Sequence, residues 1–177
     1  MMSVSVIFVI STVALTYGPT LISACDGYTY TEDYLRPKEG NEMILSEHKP
    51  PILTDKCTFK LHGCMEVPHE IKGPIQVDWN ITKDGNQQLV GHEDDMCEGF
   101  NRMSDDDKTF IQTLGVPLEC PIPKGKVCKK DEEVSIAHHR GSLPMMEGTA
   151  AGQIKITTAT GSSTFEFSGK MTKASMK

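Results

Sequence analysis

Residues 73–87 read GPIQVDWNITKDGNQ. Ile75, Val77, Trp79 and Ile81 fall on one side of an extended chain and Gln76, Asp78, Asn80 and Thr82 on the other. That is the period of two expected of a half-buried β-strand. The run ends at Lys83-Asp84-Gly85-Asn86, where Asp-Gly supplies the positive φ of a tight hairpin, so residues 87–91 are predicted to return alongside. Asn80-Ile81-Thr82 is also an N-glycosylation sequon. The alternation puts Asn80 on the wet face, opposite Trp79, where a glycan can be accommodated.

The same alternation recurs on both sides of this hairpin. KCTFKLHGCMEV carries it through Cys57, Phe59 and Leu61, EEVSIAHH through Val134 and Ile136, GQIKITTA through Ile154 and Ile156, and STFEFSGKM through Phe165 and Phe167. One segment departs from it. After Ser104 and the run Asp105-Asp106-Asp107, the residues Phe110, Ile111 and Leu114 share a helical face. Ser104 suits the N-cap and the acids suit the positive end of a helix, so the aspartates have a structural role there. A calcium loop needs alternating oxygen ligands, a mid-loop glycine and a closing glutamate, and this run has none of that pattern. The predicted fold class is all-β, antiparallel, with one short helix.

The N-terminal 24 residues contain no charged side chain, and their apolar centre from Val4 to Leu15 has the length of a signal-peptide core, short of a bilayer span. Cleavage after Ala24 leaves residues 25–177 as a single domain beginning at Cys25. ISAC also fits the pattern of a lipid-acylated cysteine, but the oxidised character of the rest of the chain favours plain export. The 18 basic and 24 acidic residues all lie beyond the leader, and the net charge of −6 argues against nucleic acid as a partner.

Six cysteines follow the leader: Cys25, Cys57, Cys64, Cys97, Cys120 and Cys128. An even number in an exported chain reads as disulfides, and the connectivity is open at this level. Zinc is disfavoured because no pair has Cys-x-x-Cys spacing and no histidine pair follows at finger spacing. Parity leaves no cysteine over as a catalytic thiol. The sequence lacks a Gly-x-Ser-x-Gly elbow, a phosphate-binding glycine loop, His-Glu-x-x-His and a dinucleotide fingerprint. His138 and His139, in HHRGS, are the nearest approach to a reactive cluster and read as a polar strand end. No catalytic residue, metal or cofactor is assigned.

Four stretches together carry a resemblance: KLHGCMEVPHEIKGPIQVDWNITKDG (60–85), MCEGFNRM (96–103), LGVPLECPIPKGK (114–126) and LPMMEGTAAGQIKITTATGSSTFEFSGKMTK (143–173). In their order the chain resembles the ML (lipid-recognition) domain family, nearest its ganglioside-activator branch. The resemblance implies a β-cup or immunoglobulin-like sandwich whose sheets splay around an apolar cavity, non-enzymatic, with Cys97 paired to Cys120. The branch also pairs its first cysteine with one in the last strand. Here STFEFSGKM has none, so Cys25 must find its partner among Cys57, Cys64 and Cys128.

On this reading the chain is a secreted or endolysosomal lipid-binding protein that carries or presents a fatty acid, sterol, phospholipid or glycolipid. Its contacts would be a membrane surface, transiently, and a hydrolase or receptor. The inward sets supply the candidate lipid-binding residues: Phe59, Leu61, Val77, Trp79, Ile81, Phe110, Leu114, Ile154, Ile156, Phe165 and Phe167. The same residue types build an ordinary sandwich core. Met145 and Met146, between Pro144 and Gly148, are candidates for an adaptable apolar lip. The alternative from another class is an extracellular protein-binding module, such as an effector, venom or receptor-associated factor, with a filled core.

Overall fold

The computed structural model describes residues 25–174, so the signal segment assigned to 1–24 lies outside the described residues. The chain is mostly antiparallel β. Its strands are β1 (Tyr28–Gly40), β2 (Ile44–Leu53), β3 (Thr58–Val67), β4 (Gln76–Lys83), β5 (Gln87–Glu93), β6 (Gly125–Ser135), β7 (Gly148–Thr157) and β8 (Ser162–Lys173). They form a five-stranded sheet in the order β1-β8-β7-β4-β5 and a three-stranded sheet in the order β2-β3-β6. The chain crosses between the sheets at the β1–β2 turn, between β3 and β4, and on either side of β6.

β4 shows why the alternation is informative. Val77, Trp79 and Ile81 are buried while Gln76, Asp78 and Asn80 are exposed. The strand is held on both sides, with Trp79 facing Ile154 of β7 and Gly91 of β5. Asp84 and Gly85 turn the hairpin with φ of 50° and 73°. Gly91 is required for close approach, because a Cβ there would run into the Trp79 indole. The bare backbone of β5 is thus the seat on which the indole lies.

Between β5 and β6 the chain leaves the sheets as two helices, α1 (Met96–Arg102) and α2 (Asp105–Thr113). The helix predicted after Ser104 is α2, and α1 precedes it. Asp95 caps α1 by accepting from the Cys97 N–H at 2.9 Å, and Ser104 caps α2 by accepting from the Asp107 N–H at 3.2 Å. Neither helix is long enough to be stable alone, so each depends on the apolar face it buries. Met96 and Phe100 of α1 and Phe110 and Ile111 of α2 enter the core. Among the described residues no helix is long and apolar enough to cross a membrane.

The strand predicted through Val134 and Ile136 also ends sooner than its alternation implies. Ile136 leaves the extended region (φ −114°, ψ 19°) and a 3-10 turn, Ala137–Ser142, follows. His138 and His139 therefore do not occupy opposite faces of a strand. His139 packs edge-on against Phe110 with ring centroids 5.6 Å apart, and His138 Nδ1 lies 3.6 Å from Asp106. Met145 and Met146, the candidates for an apolar lip, belong to a single helical turn, α3 (Leu143–Met146).

All six cysteines are paired: Cys25 with Cys57, Cys64 with Cys128, and Cys97 with Cys120. The first ties the start of β1 to the turn before β3, which answers how Cys25 is satisfied without a cysteine in β8. The second joins residues directly opposed in β3 and β6. The third ties α1 to the loop ahead of β6. Three disulfides in one small domain belong to an oxidising, extracellular-type environment.

Candidate functional site: an apolar cavity between the sheets

The two sheets do not close on each other. Between them lies a cavity of about 170 Å³. The five-stranded sheet contributes Leu35, Val77, Trp79, Ile154, Ile156 and Phe165, and the three-stranded sheet contributes Leu45 and Met65. Met43, Ile75 and Ile122 from connecting segments, with Met96 and Phe100 of α1 and Val116 after α2, complete the lining. Every lining side chain is apolar. A void of this size and lining stays dry, because a water inside would find no polar partner. An apolar ligand is the occupant it suits.

Of the candidate lining residues, the cavity brings together Val77, Trp79, Ile154, Ile156 and Phe165. Phe59, Ile81, Phe110 and Phe167 are buried in the core and are not among the side chains that line this cavity. Met145 is 60% exposed, while Met146 packs partly against the core; neither lines the cavity. Asn80 is exposed on β4, clear of the cavity.

Leu61 and Leu114 line a second cavity, about 160 Å³ and more open to solvent. It shares Leu35, Leu45, Met65 and Val116 with the first, so these four side chains form a common wall. Its character differs. His48, His62 and Lys129 line it together with Pro51, Gly63, Cys64 and Val127. His48 Nε2 is 2.9 Å from Oε1 of the buried Glu32, which supports that ring from behind.

Beside the cavity wall at Met43, a buried carboxylate fastens three loops. Glu42, 1% exposed, sits in the β1–β2 turn. Its Oε2 accepts from Thr158 Oγ1 at 2.7 Å, Thr160 Oγ1 at 2.8 Å and His69 Nε2 at 3.1 Å. The next residue is held as well, since the Met43 N–H donates to Ser163 Oγ at 3.0 Å. Burial pushes the Glu42 carboxyl up, but the hydrogen bonds from Thr158, Thr160 and His69 outweigh it and hold the group below the ordinary carboxylate range. A carboxyl with a lowered folded value contributes stability at every pH above its unfolded value and loses it as pH falls through the folded one. Glu42→Gln is therefore expected to cost about 1–2 kcal/mol at neutral pH. The same deficit should persist at mildly acidic pH and shrink only below the ordinary carboxylate range. Urea melts of both proteins across that range check it; a deficit that vanishes in mild acid would mean that the carboxylate is not the element that holds these loops.

A scan against protein-family models and a search of curated proteins both return no match for the chain. Among the described residues no group of three or more His, Cys, Asp or Glu side chains is placed to hold a metal ion. The arrangement that the residues do build is a two-part container, one part wholly apolar and the other edged with basic side chains.

Proposed function

We propose that this chain is a secreted, non-enzymatic lipid-binding protein of the ML type, which holds the hydrocarbon part of a lipid between its two sheets and carries or presents it. The observation that supports it is the cavity with its unbroken apolar lining. A filled sandwich interdigitates the inner faces of its sheets, whereas here Met96 and Phe100 of α1 and Val116 after α2 line a space left between them. Each ligand methylene moved from water into such a space contributes about 0.8 kcal/mol, so a short run of chain sustains useful affinity without a polar anchor. The disulfides fit delivery into extracellular fluid or an endolysosomal lumen, and Asn80 is the residue that would carry a glycan. Fatty acid, sterol, phospholipid and glycolipid all present hydrocarbon of the required kind. A hydrolase or receptor acting on the presented lipid is the protein partner this role implies.

The test is to express the domain through an oxidising secretory pathway, extract it under native conditions and identify bound lipid by mass spectrometry, beside a fluorescence titration of Trp79, the chain's single tryptophan. The expected result is stoichiometric lipid and a Trp79 emission shift on exchange. A protein free of lipid, whose emission ignores every class offered, would sink the reading and favour a protein-binding module.

A further inference from the structure

The apolar cavity is too small to hold a long-chain lipid by itself. At about 170 Å³ it is close to the roughly 150 Å³ apolar cavity that admits a benzene-sized molecule. A chain longer than about six carbons needs further space, and the neighbouring cavity lies directly across the shared side chains Leu35, Leu45, Met65 and Val116. That wall separates two spaces of different chemistry. Beyond it the ionisable lining side chains are His48, His62 and Lys129, all basic, with no acid among them.

Each of these bases has an acid beside it that is not part of the lining. Glu32 backs His48, Glu132 backs Lys129 at 2.9 Å, and Asp131 Oδ1 lies 3.4 Å from His62 Nδ1. Lys129 is desolvated, its side chain 18% exposed, while its partner Glu132 is 52% exposed and can turn to water. His62 Nδ1 faces Asp131 and is shielded from solvent, so Lys129 is the base placed to meet a ligand.

From these observations we infer that the second cavity receives the carboxylate of a single-chain fatty acid whose tail fills the apolar cavity, with Lys129 as the donor to its head. This rests on the lipid-binding reading above and narrows it. A second chain has no place in the apolar cavity once one is inside, and an uncharged head would gain least from three bases. A charge-assisted hydrogen bond is about twice as strong as a neutral one.

Two measurements test the orientation and the head separately. Myristate brominated at its terminal carbon should quench Trp79, which lines the apolar cavity, whereas myristate brominated next to the carboxylate should leave the emission nearly intact. Lys129→Met should weaken myristate by about tenfold and leave myristyl alcohol unchanged, since it removes one charge-assisted contact. Stronger quenching by the head-brominated acid, or equal effects of the variant on acid and alcohol, would overturn the inference while leaving the lipid-binding reading standing. Failure of the unaltered protein to bind either myristate or the alcohol would overturn both.

Discussion

Val77→Phe is expected to reduce lipid affinity by about fiftyfold without unfolding the protein. Val77 is 8% exposed, faces Ile156 across the β4–β7 pair and points into the cavity. A phenyl ring there would occupy space equivalent to roughly three ligand methylenes, about 2.4 kcal/mol of burial at 0.8 kcal/mol each, which converts to that loss of affinity. The same ring fills a void, so the melt in denaturant should stay within about 1 kcal/mol of the parent. Binding and stability move independently because the space lost to the ligand is space the fold never packed. A filled core predicts the reverse pattern: overpacking would cost about 1–3 kcal/mol, with no ligand affinity to lose. Titration of Trp79 emission and a urea melt on one preparation separate the two. A variant destabilised by several kcal/mol would mean that the cavity collapses in solution.

The part of this site that the sequence makes legible is the part built on regular alternation. Val77, Trp79, Ile154, Ile156 and Phe165 stand in strands with an uninterrupted period of two, and four of the five come from β4 and β7, which pair without a bulge from Gln76↔Thr157 to Lys83↔Ala150. The rest of the strand lining was hidden for a physical reason. β1 shifts register between Glu32 and Tyr34 and again between Pro37 and Glu39, and β2 shifts between Ser46 and Lys49 and between Lys49 and Ile52. Each shift changes which residues face inward, so Leu35 and Leu45 belong to no readable stripe. Pro37, Pro50 and Pro51 make the same segments look like loop. Phe59, Ile81 and Phe167 expose a different limit. Alternation tells which side of a sheet is dry, but whether a dry side chain meets another side chain or a void depends on how far apart the sheets are held, and that distance is set by residues elsewhere.

Those residues include the α1 clamp, and removing it should cost both stability and binding. Cys97→Ser with Cys120→Ser opens a link across 23 residues, an expected loss of about 3 kcal/mol, or about 6–12 °C in Tm for a domain of this size. Cys64→Ser with Cys128→Ser opens one across 64 residues and should lose slightly more, about 4 kcal/mol. Their effects on lipid should differ. Cys64 and Cys128 oppose each other within a ladder that runs from Thr58↔Ser135 to Val67↔Gly125, so the strands stay in register without the bridge. Cys97 follows Met96 and precedes Phe100, both cavity-lining, and Cys120 precedes Ile122, which lines the cavity and bridges to Ile71. No sheet ladder holds α1 in place. At a temperature where all three proteins are folded, the Cys97/Cys120 variant should bind lipid severalfold more weakly than the parent, and the Cys64/Cys128 variant close to normally. If the second lost affinity and the first did not, α1 would be an ornament on the sandwich rather than one wall of its container.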